Sequence, residues 1–225
     1  CLLYVEPNLS KKRQMFSDMN STPKKVAKNL NIFFDDRDPF ARAAKTLITT
    51  NRLLLGHVEE SAARVHPESQ DYYSLVAVHD TLKKLQVGSV GRVKNISQFD
   101  VSKLIAEGDI FFDILYSSRP EFALVEKSSV ALKRARTNSI LFSSTTLRVI
   151  AGAAFLFRRD GFGADSLLEV KDLIEPALAN IDFRVNSKLF LKAGFVARGS
   201  ATPSARNQEI SKATIALYEE LGKSG

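Results

Sequence analysis

Tryptophan is absent from the 225-residue sequence, and the chain carries one cysteine, two methionines and three histidines. With Cys1 as its only thiol, the chain cannot form an intramolecular disulfide, a CxxC metal site or a catalytic pair built on an internal cysteine. A reducing, cytoplasmic setting is the expectation. No apolar run reaches the roughly 18 residues that a membrane-crossing helix needs. Cys1-Leu2-Leu3-Tyr4 is too short for a signal peptide, and without an initiator Met the chain reads as a piece of something longer. An N-terminal cysteine can act as a nucleophile, its own amine serving as base, only where the mature protein begins there. His57, His66 and His79 lack the spacing of metal ligands. Gly161-Phe162-Gly163 lacks the Lys-Ser/Thr that completes a phosphate loop. Glu59-Glu60 and Asp35-Asp36 are paired in sequence only, and Ser143-Ser144-Thr145-Thr146 has no histidine at a telling position. No catalytic constellation is complete, and no cofactor is expected.

What is present is an ordinary globular composition, 44% apolar and 25% charged, with fifteen phenylalanines to build a core. Net charge is +7 with a pI near 9.5, which favours an anionic partner.

The longest pattern runs from Asp38 to Tyr72. Asp38 suits an N-cap and Pro39 the first helical position. Phe40, Ala44, Leu47, Leu54, Val58, Ala62 and Val65 then fall on one stripe, with His66-Pro67 as a stop. This predicts a helix of roughly 25 residues, about 40 Å long. Two helical pieces precede it within residues 1–37. Another, capped by Ser69 or Asp71, follows to about Leu85. Gln86–Asp100 reads as a linker, and Asp100–Glu107 as a short helix stopped by Gly108. Beyond it, GDIFFDILY, EFALVEK, SVALKRAR, SILFSSTTLRVIAGAAFLF, SLLEVKDLI, IDFRVNS and LFLKAGFVA are rich in β-branched and aromatic residues and read as strands. Within them Ile150–Leu156 is apolar enough for a buried helical turn instead. Thr202-Pro203 opens a closing helix with Ile210, Thr214, Leu217, Tyr218 and Leu221 on one face. The expected fold class is α+β: a helical bundle over 1–88, a linker over 89–103, and over 104–225 a small antiparallel β-barrel or sandwich closed by the C-terminal helix.

This order of elements resembles the Dbl-homology/pleckstrin-homology tandem of Rho-family guanine nucleotide exchange factors. Leu53-Leu54-Leu55, His66-Pro67 and Asp71-Tyr72 are similar to that family's triple-leucine helix and the turn after it. Leu104-Ile105-Ala106-Glu107-Gly108 resembles the entry into its second module, and Ile140-Leu141-Phe142 and Ile181–Val185 two of its strands. The resemblance implies a small GTPase as partner, facing Arg52, His57 and Arg64 on the long helix. It also implies anionic phospholipid bound by Lys127, Lys133, Arg134 and Arg136, with peripheral membrane contact. Exchange activity is not expected of this fragment: the family's switch-facing opening helix would precede residue 1, and Gly56 stands where a basic residue usually follows the leucines.

The residues alone leave a second reading open, a basic RNA-binding component of viral-nucleoprotein or organellar-ribosomal type. Lys11-Lys12-Arg13 with Lys24, Lys25 and Lys28 forms one cationic cluster. Arg158-Arg159 and the trio Arg184, Lys188 and Lys192 add charge to the second half. Phe155, Phe157 and Phe162 lie near enough in sequence to offer stacking surfaces.

Overall fold

The structure, a computed structural model, describes Lys11, Ile32 and residues 35–91, 93–126 and 128–223. The two helical pieces expected within residues 1–37 fall almost entirely outside these.

Helix α1 (Pro39–Thr50) begins as its sequence dictates: the Asp38 carboxylate accepts from the Phe40 N–H at 2.9 Å, and Pro39 occupies the first turn. It ends after 12 residues, so the long helix is a correction. Asn51 is the reason. Its side-chain oxygen accepts from Leu53 N–H at 3.0 Å, and its amide nitrogen donates to Asp109 at 2.8 Å and Asp113 at 3.2 Å. An asparagine with its own turn and two carboxylate acceptors gains more outside a helix than inside one. Residues 52–57 therefore turn, and β1 (Val58–Glu59) pairs in parallel with β2 (Tyr73–Ser74), Val58 opposite Tyr73.

Ser74 caps α2 (Leu75–Val87), accepting from Ala77 N–H at 3.3 Å, and Gly88 closes it in the left-handed region. Asp100 caps α3 (Val101–Ser118), accepting from Ser102 and Lys103 N–H groups. Gly108 does not stop α3 but lies inside it. A Cβ there would sit 2.5 Å from Leu47 Cδ1 and 2.6 Å from Leu82 Cδ2, so the glycine lets α1 and α2 close onto α3.

The strand-rich second half is the larger correction. After α3 come α4 (Glu121–Val125), α5 (Ser129–Asn138), α6 (Ser144–Leu156), α7 (Lys171–Ala179), α8 (Lys188–Lys192) and α9 (Asn207–Gly222). A single bridge, Ser139 to Arg184, is the β pairing among the described residues of this half. The buried set of α3 explains why: Leu104, Gly108, Phe111, Phe112, Leu115 and Ser118 recur at helical spacing. The apolar stretch Ile150–Leu156 is indeed helical, within α6.

Packing is helix on helix. α2 lies along α6, α6 along α9, α1 against both α2 and α3, and α3 against α7. One hydrophobic cluster includes residues from both sides of the 89–103 segment, among them Phe40, Leu47, Leu82, Phe112, Val149 and Leu217. α6 runs on into a π-helical turn, Phe157–Gly161, that points Arg158 inward. Arg158 donates to Glu107 at 2.8 Å and to the Leu85 carbonyl at 3.0 Å, while Glu107 also accepts from Ser166 Oγ and Leu167 N–H. Arg119, equally buried, donates to the carbonyls of Leu178, Ala179 and Ile181 and pairs with Glu121. Both arginines satisfy backbone carbonyls that helix ends leave without partners.

Candidate nucleic-acid interface

The helix α8 follows a tight turn built on Asp182, which accepts from the Arg184 backbone N–H at 3.0 Å and from its guanidinium at 2.9 and 3.1 Å. These bonds hold the Asp182 carboxyl below the usual carboxylate range and push the Arg184 guanidinium up. On α8, Lys188 and Lys192 lie one helical turn apart, and both are exposed. Opposite stands α9, with Lys212, Ala216, Glu219, Glu220 and Lys223 on the facing side. Between the two helices lies an open groove of about 830 Å³ with Ile181, Leu189, Ala193 and Ala216 contributing apolar lining.

The charges of this groove do not cancel. Asp182 is occupied by Arg184, and Glu220 by Lys223 at 2.8 Å. Among the described residues, that leaves Lys188, Lys192 and Lys212 without an acidic partner, against Glu219. Three lysines converging on a concave surface can hold phosphate oxygens as point charges. Of the residues singled out from sequence, the trio Arg184, Lys188 and Lys192 is thus brought together. Lys212 was missed, because its partners across the groove lie 20 or more positions away and only the helix packing sets it opposite them.

The other sequence candidates do not converge. Arg52 lies over the Tyr116 ring, 4.2 Å from its centroid, and donates to the phenol at 2.8 Å. His57 stacks on Tyr72 at 4.2 Å, and Arg64 is exposed in the loop after β1. None of the three is on a helix, so no common helical face exists. Lys133 is paired with Glu68 at 2.8 Å. Arg136 donates to the carbonyls of Pro67 at 2.7 Å, Ser69 at 2.8 Å and Asp71. Arg134 is exposed on α5, and Lys127 lies outside the described residues. The basic pair Lys133 and Arg136 fastens the chain's own loop to α5, which leaves little for a phospholipid headgroup. Lys11 is exposed, and the rest of the N-terminal cationic cluster, like Cys1, lies outside the described residues. Arg158 and Phe157 are core, Phe155 is half-buried, and Phe162 is exposed with its ring 4.9 Å from that of Phe157. Among the described residues, no three His, Cys, Asp or Glu side chains come together as a metal cage, and no helix is long and apolar enough to cross a membrane.

A family model described as DndB, DNA-sulfur modification-associated, matches residues 1–224. The chain belongs to the DndB family. No curated protein and no solved structure gives a match. Membership of the DndB family over essentially the whole chain, together with a helical second half, overturns the exchange-factor resemblance. With it go the small-GTPase and phospholipid partners, and the RNA-component reading goes too. The partners to consider for a DndB-family chain are those of DNA-modification machinery.

Proposed function

We propose that this protein serves DNA-sulfur modification by holding the sugar–phosphate backbone of DNA in the groove between α8 and α9. The observation that carries the reading is the set of three lysines, Lys188, Lys192 and Lys212, which face one groove without acidic partners in a chain of a DNA-sulfur modification-associated family. The net charge of +7 supports it. Among the described residues no aromatic side chain lines the groove, so the described surface offers bases no stacking platform, and the contacts fall on phosphates. The grip is therefore independent of sequence.

Each lysine–phosphate contact releases condensed counterions and contributes about 0.9 to the slope of log affinity against log salt. Three contacts account for about a 40-fold loss of affinity between about 50 and about 200 mM salt. Fluorescence anisotropy with a labelled duplex checks this. The triple variant Lys188→Gln, Lys192→Gln, Lys212→Gln is expected to bind more weakly on every sequence, with a slope shallower by about 2.7. A folded triple variant with unchanged affinity and slope would remove the groove from consideration.

A further inference from the structure

The α8–α9 groove is not uniform across its width. On α8 the lining residues fall, at about 100° per residue, in the order Ser187, Lys188, Lys192, Leu189 and Ala193 around the helix. The lysines form a central row, with a hydroxyl on one side of them and an apolar strip on the other. Exposure follows the same division. Lys188, Lys192 and, from α9, Lys212 are exposed at the rim, whereas Leu189, Ala193 and Ala216 are half-buried and Ile181 is buried. Leu189 and Ala193 pack on the hydrophobic core and still line the groove.

Ser187 stands directly before α8, where a serine usually spends its hydroxyl on the helix. This one does not. It is 2% exposed and lines the groove, and its hydroxyl has no hydrogen-bond partner among the described residues. A buried hydroxyl left unpaired is costly, and an anion oxygen in the groove supplies the missing acceptor.

A phosphodiester makes poor use of this asymmetry, because both of its non-bridging atoms are strongly hydrated oxygens. A phosphorothioate, the form that sulfur modification gives a DNA backbone, keeps the single negative charge and carries sulfur in place of one of them. Sulfur is larger, more polarisable and more weakly hydrated than oxygen. Set against hydrocarbon, it loses less hydration and gains more contact.

We infer, resting on the backbone-binding role proposed above, that the groove's ligand is a DNA phosphorothioate, one configuration of which it favours over the plain phosphodiester. The lysine row holds the group, its oxygen turned to Ser187 and its sulfur to Leu189, Ala193 and Ala216. The hydroxyl and the apolar strip of α8 flank the lysines on opposite sides. Exchanging oxygen and sulfur at phosphorus therefore sets each against the wrong side, and the groove distinguishes the two configurations. A row of lysines alone would not.

Three duplexes of one sequence test this by fluorescence anisotropy with the full chain. One is unmodified, and the others carry phosphorothioates of one or the other configuration throughout one strand, so that every register presents the same group. One configuration is expected to bind about fourfold tighter than the unmodified duplex, the worth of burying one methylene-sized group, and the other no tighter. Leu189→Gln, which keeps the side chain's bulk, should bring that ratio toward one. Equal affinity for the two configurations overturns the inference and leaves the backbone grip standing. A preference that survives in the Lys188, Lys192, Lys212 triple variant also overturns it, because the discrimination then lies elsewhere on the chain. Failure to bind any of the three duplexes removes the groove's proposed role together with its ligand. The comparison of configurations uses the unaltered chain and so decides the matter even where Leu189→Gln fails to fold.

Discussion

Gly108 and Arg136 show how single residues set this structure. At Gly108 the opposing methyls belong to Leu47 and Leu82, themselves buried, so an added Cβ has no space to displace them into. Overpacking of this kind costs about 1–3 kcal/mol, against about 1 kcal/mol regained from helix propensity. The net cost, about 1 kcal/mol at the centre of that range, should lower the thermal midpoint of Gly108→Ala by about 2–4 °C in circular dichroism. Arg136 acts the other way, by holding a loop. Its guanidinium gathers three carbonyls from residues 67–71, a fork geometry that lysine cannot reproduce. Both Arg136→Ala and Arg136→Lys should expose residues 60–71 to limited proteolysis while the helical signal persists. A loop as resistant as in the parent would show that the β1–β2 pairing alone holds it. Neither role could be read from sequence: Gly108 presents itself as a helix stop, and the carbonyls that Arg136 serves lie 65–69 positions away.

Among the elements, the start of α1 is tied to α2 by charge. His79 is buried, its Nε2 3.0 Å from Asp38 and its Nδ1 3.3 Å from Asp80. Burial pushes the imidazole down, but the hydrogen bonds and charges of the two aspartates outweigh it and raise it overall. Asp38 is pushed up by burial, yet the His79 contact and the α1 backbone N–H groups bring it below its ordinary value. A raised histidine stabilises the fold below its unfolded value of about 6.5 and loses that contribution as pH rises through its folded value. A lowered aspartate contributes above about 3.9 and loses it as pH falls through its folded value. The stability gap between the parent and His79→Gln is thus expected to be widest between about pH 4 and 6.5 and to narrow above it. Denaturant melts at several pH values check this, and a gap that widens toward alkaline pH would mean the ring is held neutral. Local signals placed these elements with uneven success. Caps at Asp38 and Asp100 were legible because capping depends on one short polar side chain. The type of the later elements was not, since Phe- and Ile-rich runs suit strands intrinsically and become helical here through a shared core.

For the whole molecule, the decisive feature is that helices before and after the 89–103 segment share one hydrophobic cluster. α2 lies along α6, and α1 on α3, across that segment. Fragments cut at Gly88 should therefore each lose native helicity, and mixing the two should restore it. Independent cooperative melting of both halves would contradict the packing. The candidate groove was half legible: the cations of residues 184–192 stand out in the sequence, while Lys212 depends on how α9 docks. The π turn at Phe157–Gly161 has a reach beyond its five residues. Such a turn holds one more residue than an α-helical path would need. Excising that residue would let an ordinary α-helical turn span the same ends and would abolish the wide turn. What would be lost is the local geometry that brings Arg158 onto Glu107 and the Leu85 carbonyl. Chain length at this point therefore matters to the buried Arg158 contacts: deleting Arg159, an exposed residue, should cost more stability than replacing it with alanine.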